Sequence, residues 1–137
     1  MTPAELLLLA ERVEAASGPD REMDLAIAIM LGKAPANTIR GNVTGFCYFD
    51  EYSSPCCVTI AQYTASLDAA MSLVPKGFGF IAGTNLDNGK GQATVSFQER
   101  GNWYHCGRYA ATPALALTAA ALRARAQADP EGGRIRG

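Results

Sequence analysis

The sequence has little of what usually announces chemistry. It holds a single histidine, His105, and a single tryptophan, Trp103, and its four cysteines stand at 47, 56, 57 and 106 with no C-x2-C pair among them. A structural zinc site needs thiolates delivered by a tight turn to a metal about 2.3 Å away, and that spacing is missing. Charge of one sign is missing too. Basic residues number 12 and acidic ones 13, so no field draws the chain to nucleic acid or to an anionic lipid surface. No apolar run reaches the roughly 20 residues that a membrane-spanning helix requires. The opening MTPAELLLLA carries Glu5, no basic stretch and an apolar run too short for a secretory signal. These absences lead to the expectation of a soluble, cytoplasmic protein with no membrane or nucleic-acid partner and with reduced thiols.

What is present specifies elements. At 137 residues the chain has the length of one domain with a core of its own. Thr2, Pro3 and Glu5 form a helix start, and Leu6, Leu9, Ala10 and Val13 make one buried stripe of a helix ending near Ala16, with Glu11, Arg12 and Glu14 facing water. Gly18-Pro19 breaks it. In DREMDLAIAIMLG, Met23, Ile27, Met30 and Leu31 share a second stripe, and Gly32 suits a left-handed C-cap. Residues 33–45 read as loop, and FCYF and CCVTI as short extended segments with SSP between them. Thr64 or Ser66 caps a third helix of about two to three turns, whose buried face is Leu67, Ala70, Met71 and Val74 and which Pro75 ends.

The period then changes. In QATVSFQ, Ala93, Val95 and Phe97 alternate with polar residues, as in a strand with one buried face. FGFIAG before it and WYHCGRY after it complete a three-stranded antiparallel meander, with turns at NLDNGKG and ERGN. Thr112 and Pro113 open a closing helix whose stripe is Leu115, Ala119, Leu122 and Ala126. The polar ADPEGGRIRG reads as a tail, so the expected organisation is a single domain over residues 1–128 and a flexible tail over 129–137.

TASLDAAMSLVP and AATPALALTAAALRARA, on either side of this meander and preceded by GPDREMDLAIA, resemble the phage ABA-sandwich domain proteins of bacteriophage and prophage genomes. The resemblance spans about residues 4–126. It implies an α+β fold in the form of an α/β/α three-layer sandwich, a small and mainly antiparallel sheet covered by helices on both faces, and a viral or prophage origin. It carries no biochemical activity, so it implies no catalytic, cofactor-binding or metal-binding residues.

The residues themselves offer a few candidates. Adjacent residues of a strand point to opposite faces, so at most one of Cys56 and Cys57, and one of His105 and Cys106, joins any one site. Free cysteine behaves as a small hydrophobe, and core packing is the preferred reading of all four. His105 as a general base oriented by Asp50, Glu51 or Asp68 has no supporting spacing, and a hydrogen-bonded sheet-face histidine is the simpler reading. GTNLDNGKG lacks the spacing and the following helix of a phosphate loop and reads as a hairpin turn. The aspartates of FDEY and NLDN do not match a calcium loop. Arg123 and Arg125 near the end of the closing helix answer its dipole. Two functions follow. The first is a non-enzymatic phage or prophage accessory protein that contacts a phage or host protein and forms a homo-oligomer through a strand edge or an apolar helix face, with no cofactor. The alternative is a small metal- or nucleotide-handling enzyme that uses Cys47, Cys57, His105 and Cys106.

Overall fold

In the computed structural model, which describes residues 2–41 and 45–128, the helix starts follow the capping chemistry of the sequence. In α1 (Pro3–Ala15) Thr2 accepts the Glu5 N–H through its hydroxyl, and the Glu5 carboxylate accepts the Thr2 N–H in return. In α2 (Arg21–Met30) Asp20 accepts the N–H groups of Glu22 and Met23. Three short strands follow, β1 (Ile39–Arg40), β2 (Phe46–Phe49) and β3 (Pro55–Val58). After them come α3 (Leu67–Met71), capped by Ser66, and the meander of β4 (Gly79–Thr84), β5 (Gly91–Glu99) and β6 (Asn102–Ala110). The last element is α4 (Pro113–Ala128), where Thr112 Oγ1 accepts the Leu115 N–H. The reading of residues 129–137 as a tail lies outside the described residues.

The fold is mixed α+β, with two antiparallel three-stranded sheets in the orders β1-β2-β3 and β4-β5-β6. Arg100 and Gly101 both take positive φ, 53° and 82°, and join β5 to β6 directly. A two-residue turn of that kind matches the right-handed twist of its strands, which explains the tight ERGN hairpin. Between β4 and β5, Asn85 and Asn88 accept the N–H groups of Asp87 and Lys90 through their side chains, and Gly89 takes φ 72°. The loop read as a turn is therefore held by its own asparagines.

The core is built around α4. Ala93, Val95 and Phe97 of β5 and Cys106 of β6 face this helix from the sheet side, and α1 packs on it with Leu6, Leu9, Ala10 and Val13. From Ala114 to Leu122 every residue of α4 is buried, so the single stripe expected for it is a full circumference. Alanine is the reason: its short side chain lets a sheet and a second helix approach the same helix closely, and a helix apolar all round is an interior helix. Arg123 and Arg125 carry the polarity. Arg123 makes a bidentate pair with Glu14 of α1, at 2.6 and 2.9 Å, and Arg125 donates to the Leu73 carbonyl at 2.9 Å. Glu14, expected to face water, and the two arginines, expected to serve the helix dipole, instead tie α4 to its neighbours.

Two further expectations need correction. Helix α3 is shorter than expected, and Leu67 and Met71 on it are exposed, while Ala70 and Leu73 are buried. Thr64 does not cap that helix because its hydroxyl is used elsewhere. Its N–H and O–H both reach Asp24 Oδ1 at 2.8 Å, and Asp24 is wholly buried in α2. Arg21 completes this knot: Nη1 meets Asp24 Oδ2 at 2.8 Å, Nη2 donates to the Ile60 carbonyl at 3.0 Å, and the guanidinium sits 5.0 Å over the Phe46 ring of β2. Through these contacts α2, the segment after β3 and the first sheet form one polar-and-aromatic junction.

Helices cover the β4–β6 sheet on one face only among the described residues. The strand alternation places Ile81, Gln92, Thr94, Ser96, Gln98, Trp103, His105 and Tyr109 on the other face, and Gln92, Gln98 and His105 there are exposed. The expectation of one sheet covered by helices on both faces needs correction: the described strands form two small sheets, and the larger carries described helices on the α4 side alone.

Candidate functional site

The four residues assigned to an enzyme reading are divided by the fold. Cys47 and Cys57 sit on β2 and β3, directly opposite each other in register, whereas His105 and Cys106 sit on β6 of the other sheet and point to its opposite faces. Among the described residues no group of three or more His, Cys, Asp and Glu side chains could hold a metal ion. The core reading of the cysteines is right for Cys106, which is buried, and needs correction for the others: Cys47 and Cys56 are half-buried and Cys57 is exposed. The first sheet is small and buries chiefly the Phe46 side of β2, so the face carrying Cys47, Phe49, Pro55 and Cys57 meets water. His105 is an exposed sheet-face residue. Its Nδ1 and Ser96 Oγ share a hydrogen bond of 2.7 Å across the β5–β6 pair, and its ring stacks against Trp103 with centroids 6.4 Å apart. Neither Asp50, Glu51 nor Asp68 lies in that sheet.

The open face of the β4–β6 sheet is the candidate site. Ile81 on β4 is 77% exposed, Trp103 63% and Tyr109 58%. Such side chains are ordinarily drawn into a core or an interface. Three glycines shape the face: Gly79 and Gly83 flank Ile81 on β4, and Gly107 lies between His105 and Tyr109 on β6. A hollow of about 350 Å³ opens there, with Thr94 and Gly107 as floor and Gln92 and Tyr109 at the side. A Cβ at Gly107 would stand 3.3 Å from Thr94 Oγ1 and would fill that floor. The surface thus offers flat aromatic and aliphatic contact area, a notch for one side chain, and hydrogen-bonding groups on Gln92, Gln98 and the Ser96–His105 pair. Sequence reading placed these strands correctly and missed the site, although Ile81 and Trp103 at outward positions of the alternation were a visible signal.

Elsewhere the polar groups are engaged. Cys106 donates to Gln127 at 3.3 Å beside Arg108 and Arg123. Burial pushes the Cys106 thiol up from its ordinary range, although the two arginines pull the other way, so it is a poor nucleophile. Arg108 Nε stands 3.2 Å from the Glu14 carboxylate, close enough for an ion pair but out of line for a hydrogen bond. A shallow groove of about 590 Å³ runs along α1 beside Leu8 and Ala26, rimmed by Glu5, Glu11 and Arg12. No described helix is long and apolar enough to cross a membrane.

No protein-family model matches the chain, and neither the curated proteins nor the solved structures give a match.

Proposed function

We propose that this chain acts by contact with another protein, a second copy of itself first of all, and not by catalysis, with the open face of the β4–β6 sheet as the contact surface. The observation that carries this reading is the exposure of Ile81, Trp103 and Tyr109 together on one face beside the notch at Gly107. Tryptophan and tyrosine bury large areas at low entropic cost and dominate interface energies. Two such faces can pack as sheets do, about 10 Å apart with their side chains interleaved, around a two-fold axis. Such a dimer would stack as helix, sheet, sheet and helix, with α4 covering the outer face of each sheet. The phrases TASLDAAMSLVP and AATPALALTAAALRARA support a phage or prophage accessory role as the setting.

Light scattering coupled to size exclusion at micromolar concentration tests the reading. The chain should elute at about twice 14.4 kDa, and Trp103→Ser should return it to one chain's mass, since loss of a large aromatic anchor from an interface typically costs about 2 kcal/mol or more. Trp103 is largely exposed, so the variant should keep its fold, which circular dichroism checks. A parent mass near one chain at every concentration sinks self-association. Stoichiometric zinc or iron in protein purified without chelator or histidine tag would favour the Cys/His enzyme instead.

A further inference from the structure

The backbone of the β2–β3 hairpin fixes how its two facing cysteines meet. In an antiparallel ladder, hydrogen-bonded and non-hydrogen-bonded pairs alternate, and the latter bring Cα atoms to about 4.5 Å with side chains closer. The Asp50 N–H donates to the Ser54 carbonyl at 3.1 Å, which marks that pair as hydrogen-bonded. Counting back along the register, Phe49 and Pro55 form a non-hydrogen-bonded pair, Tyr48 and Cys56 a hydrogen-bonded one, and Cys47 and Cys57 a non-hydrogen-bonded one. Pro55 agrees with this phase, because a residue without an N–H fits a strand where no ladder bond is required of it. Cys47 and Cys57 therefore project side by side from the outer face, the first half-buried and the second exposed. A disulfide needs Cα atoms about 4.4 to 6.8 Å apart, and the spacing characteristic of a non-hydrogen-bonded antiparallel pair falls within that range.

We propose that Cys47 and Cys57 are a redox modification site, a cross-strand dithiol that closes to an intramolecular disulfide with a peroxide or a small-molecule disulfide as oxidant. With hydrogen peroxide, the Cys57 thiolate attacks one peroxide oxygen and becomes a sulfenic acid, and the other oxygen leaves as hydroxide and takes up a proton to become water. The Cys47 thiol then attacks the Cys57 sulfur and releases the second water. Each sulfur gives up one electron, and the peroxide takes up two electrons and the two thiol protons. With a disulfide oxidant, Cys57 forms the mixed disulfide and Cys47 resolves it, releasing two small thiols. Cys57 is the first to react because it is the exposed member, and Cys47 resolves because it is already in place. Cys56 takes no part: it belongs to the neighbouring pair and points to the other face. The site lies on a different sheet from the surface proposed for association, so it stands or falls separately.

Cleavage after glutamate leaves Cys47 in fragment 23–51, Cys56 and Cys57 together in 52–99, and Cys106 in 100–131. The reduced full-length protein is treated with hydrogen peroxide or oxidised glutathione, alkylated without reductant, unfolded, digested and weighed. The expected product is 23–51 joined to 52–99 with one alkylated cysteine, lost in Cys57→Ser and kept in Cys56→Ser. Separate fragments with every cysteine alkylated or over-oxidised, a link that survives in Cys57→Ser, a link through Cys106, or covalent dimers would each overturn the proposal.

Discussion

Asp24 shows what one residue does here that its position alone would not reveal. On a helical wheel it follows Met23 on the edge of the apolar stripe, yet its carboxylate is wholly buried and accepts from Thr64 twice while pairing with Arg21. A buried carboxylate is tolerated only when its oxygens are satisfied. Removing it strands the Thr64 N–H and the Arg21 guanidinium at once, so Asp24→Ala should cost about 3 to 5 kcal/mol, measured by urea unfolding. Asp24→Asn, which keeps the size and part of the bonding, should cost less. Cys106 makes a second residue-scale case. Its thiol holds a proton to higher pH than in the unfolded chain. The unfolded state therefore sheds that proton first, and the contribution of this group to stability is present below the ordinary thiol range and declines as pH rises through the window up to the raised folded value. Iodoacetamide at mildly alkaline pH should label exposed Cys57 well before Cys106, and equal rates of the two would contradict the burial.

Among the elements, α4 packs against α1, α3 and all three strands of the β4–β6 sheet. Leu122 is fully buried in the core, and Leu122→Ala should cost about 2 to 5 kcal/mol. Leu8 on α1 is 61% exposed, and Leu8→Ala should change stability by no more than about 0.5 kcal/mol. Thermal melts of the pair test the assignment of faces, and an equal loss in both would show that α1 packs differently. Capping and alternation made α1, α2, β5, β6 and α4 legible, because a Thr-Pro-x-Glu start or a period of two is local information. The alternation also identified Ala93, Val95 and Phe97 as the covered side of β5. The buried perimeter of α4 was not legible, because a run of alanines is compatible with any face and only neighbours on both sides decide that all of them are inside. The fate of Thr64 was hidden for a similar reason: its partner is 40 residues away.

At the scale of the molecule, the meander is joined to α4 by an unusually close approach. Gly91, at the start of β5, lies against the turn into α4, and a Cβ there would fall 2.0 Å from the Thr112 carbonyl carbon and 2.2 Å from Pro113 N. These are backbone atoms that cannot swing aside. Gly91→Ala should force the sheet off the helix at a cost of about 3 kcal/mol or more, whereas Gly83→Ala on β4, where nothing lies within 4 Å, should be mild. Comparing the urea midpoints of the two variants tests whether the sheet–helix contact is as tight as described. The same one-sided packing leaves Ile81, Trp103 and Tyr109 without cover, so one fact of layer order links stability to the proposed association.

By itself the sequence determined what local chemistry can fix: where helices start, which strand faces are apolar, which residues turn the chain, and that no patterned metal or phosphate motif is present. Tertiary structure decided what depends on distant partners. It set Cys47 against Cys57 and placed them on a different sheet from His105 and Cys106, because register and sheet membership are properties of paired strands. It sank Asp24 beneath Thr64 and Arg21, and it enclosed α4 while leaving the far face of its sheet bare. Side-chain period tells a strand which of its faces is apolar; only the packing of the remaining elements decides whether the opposite face is covered or meets water.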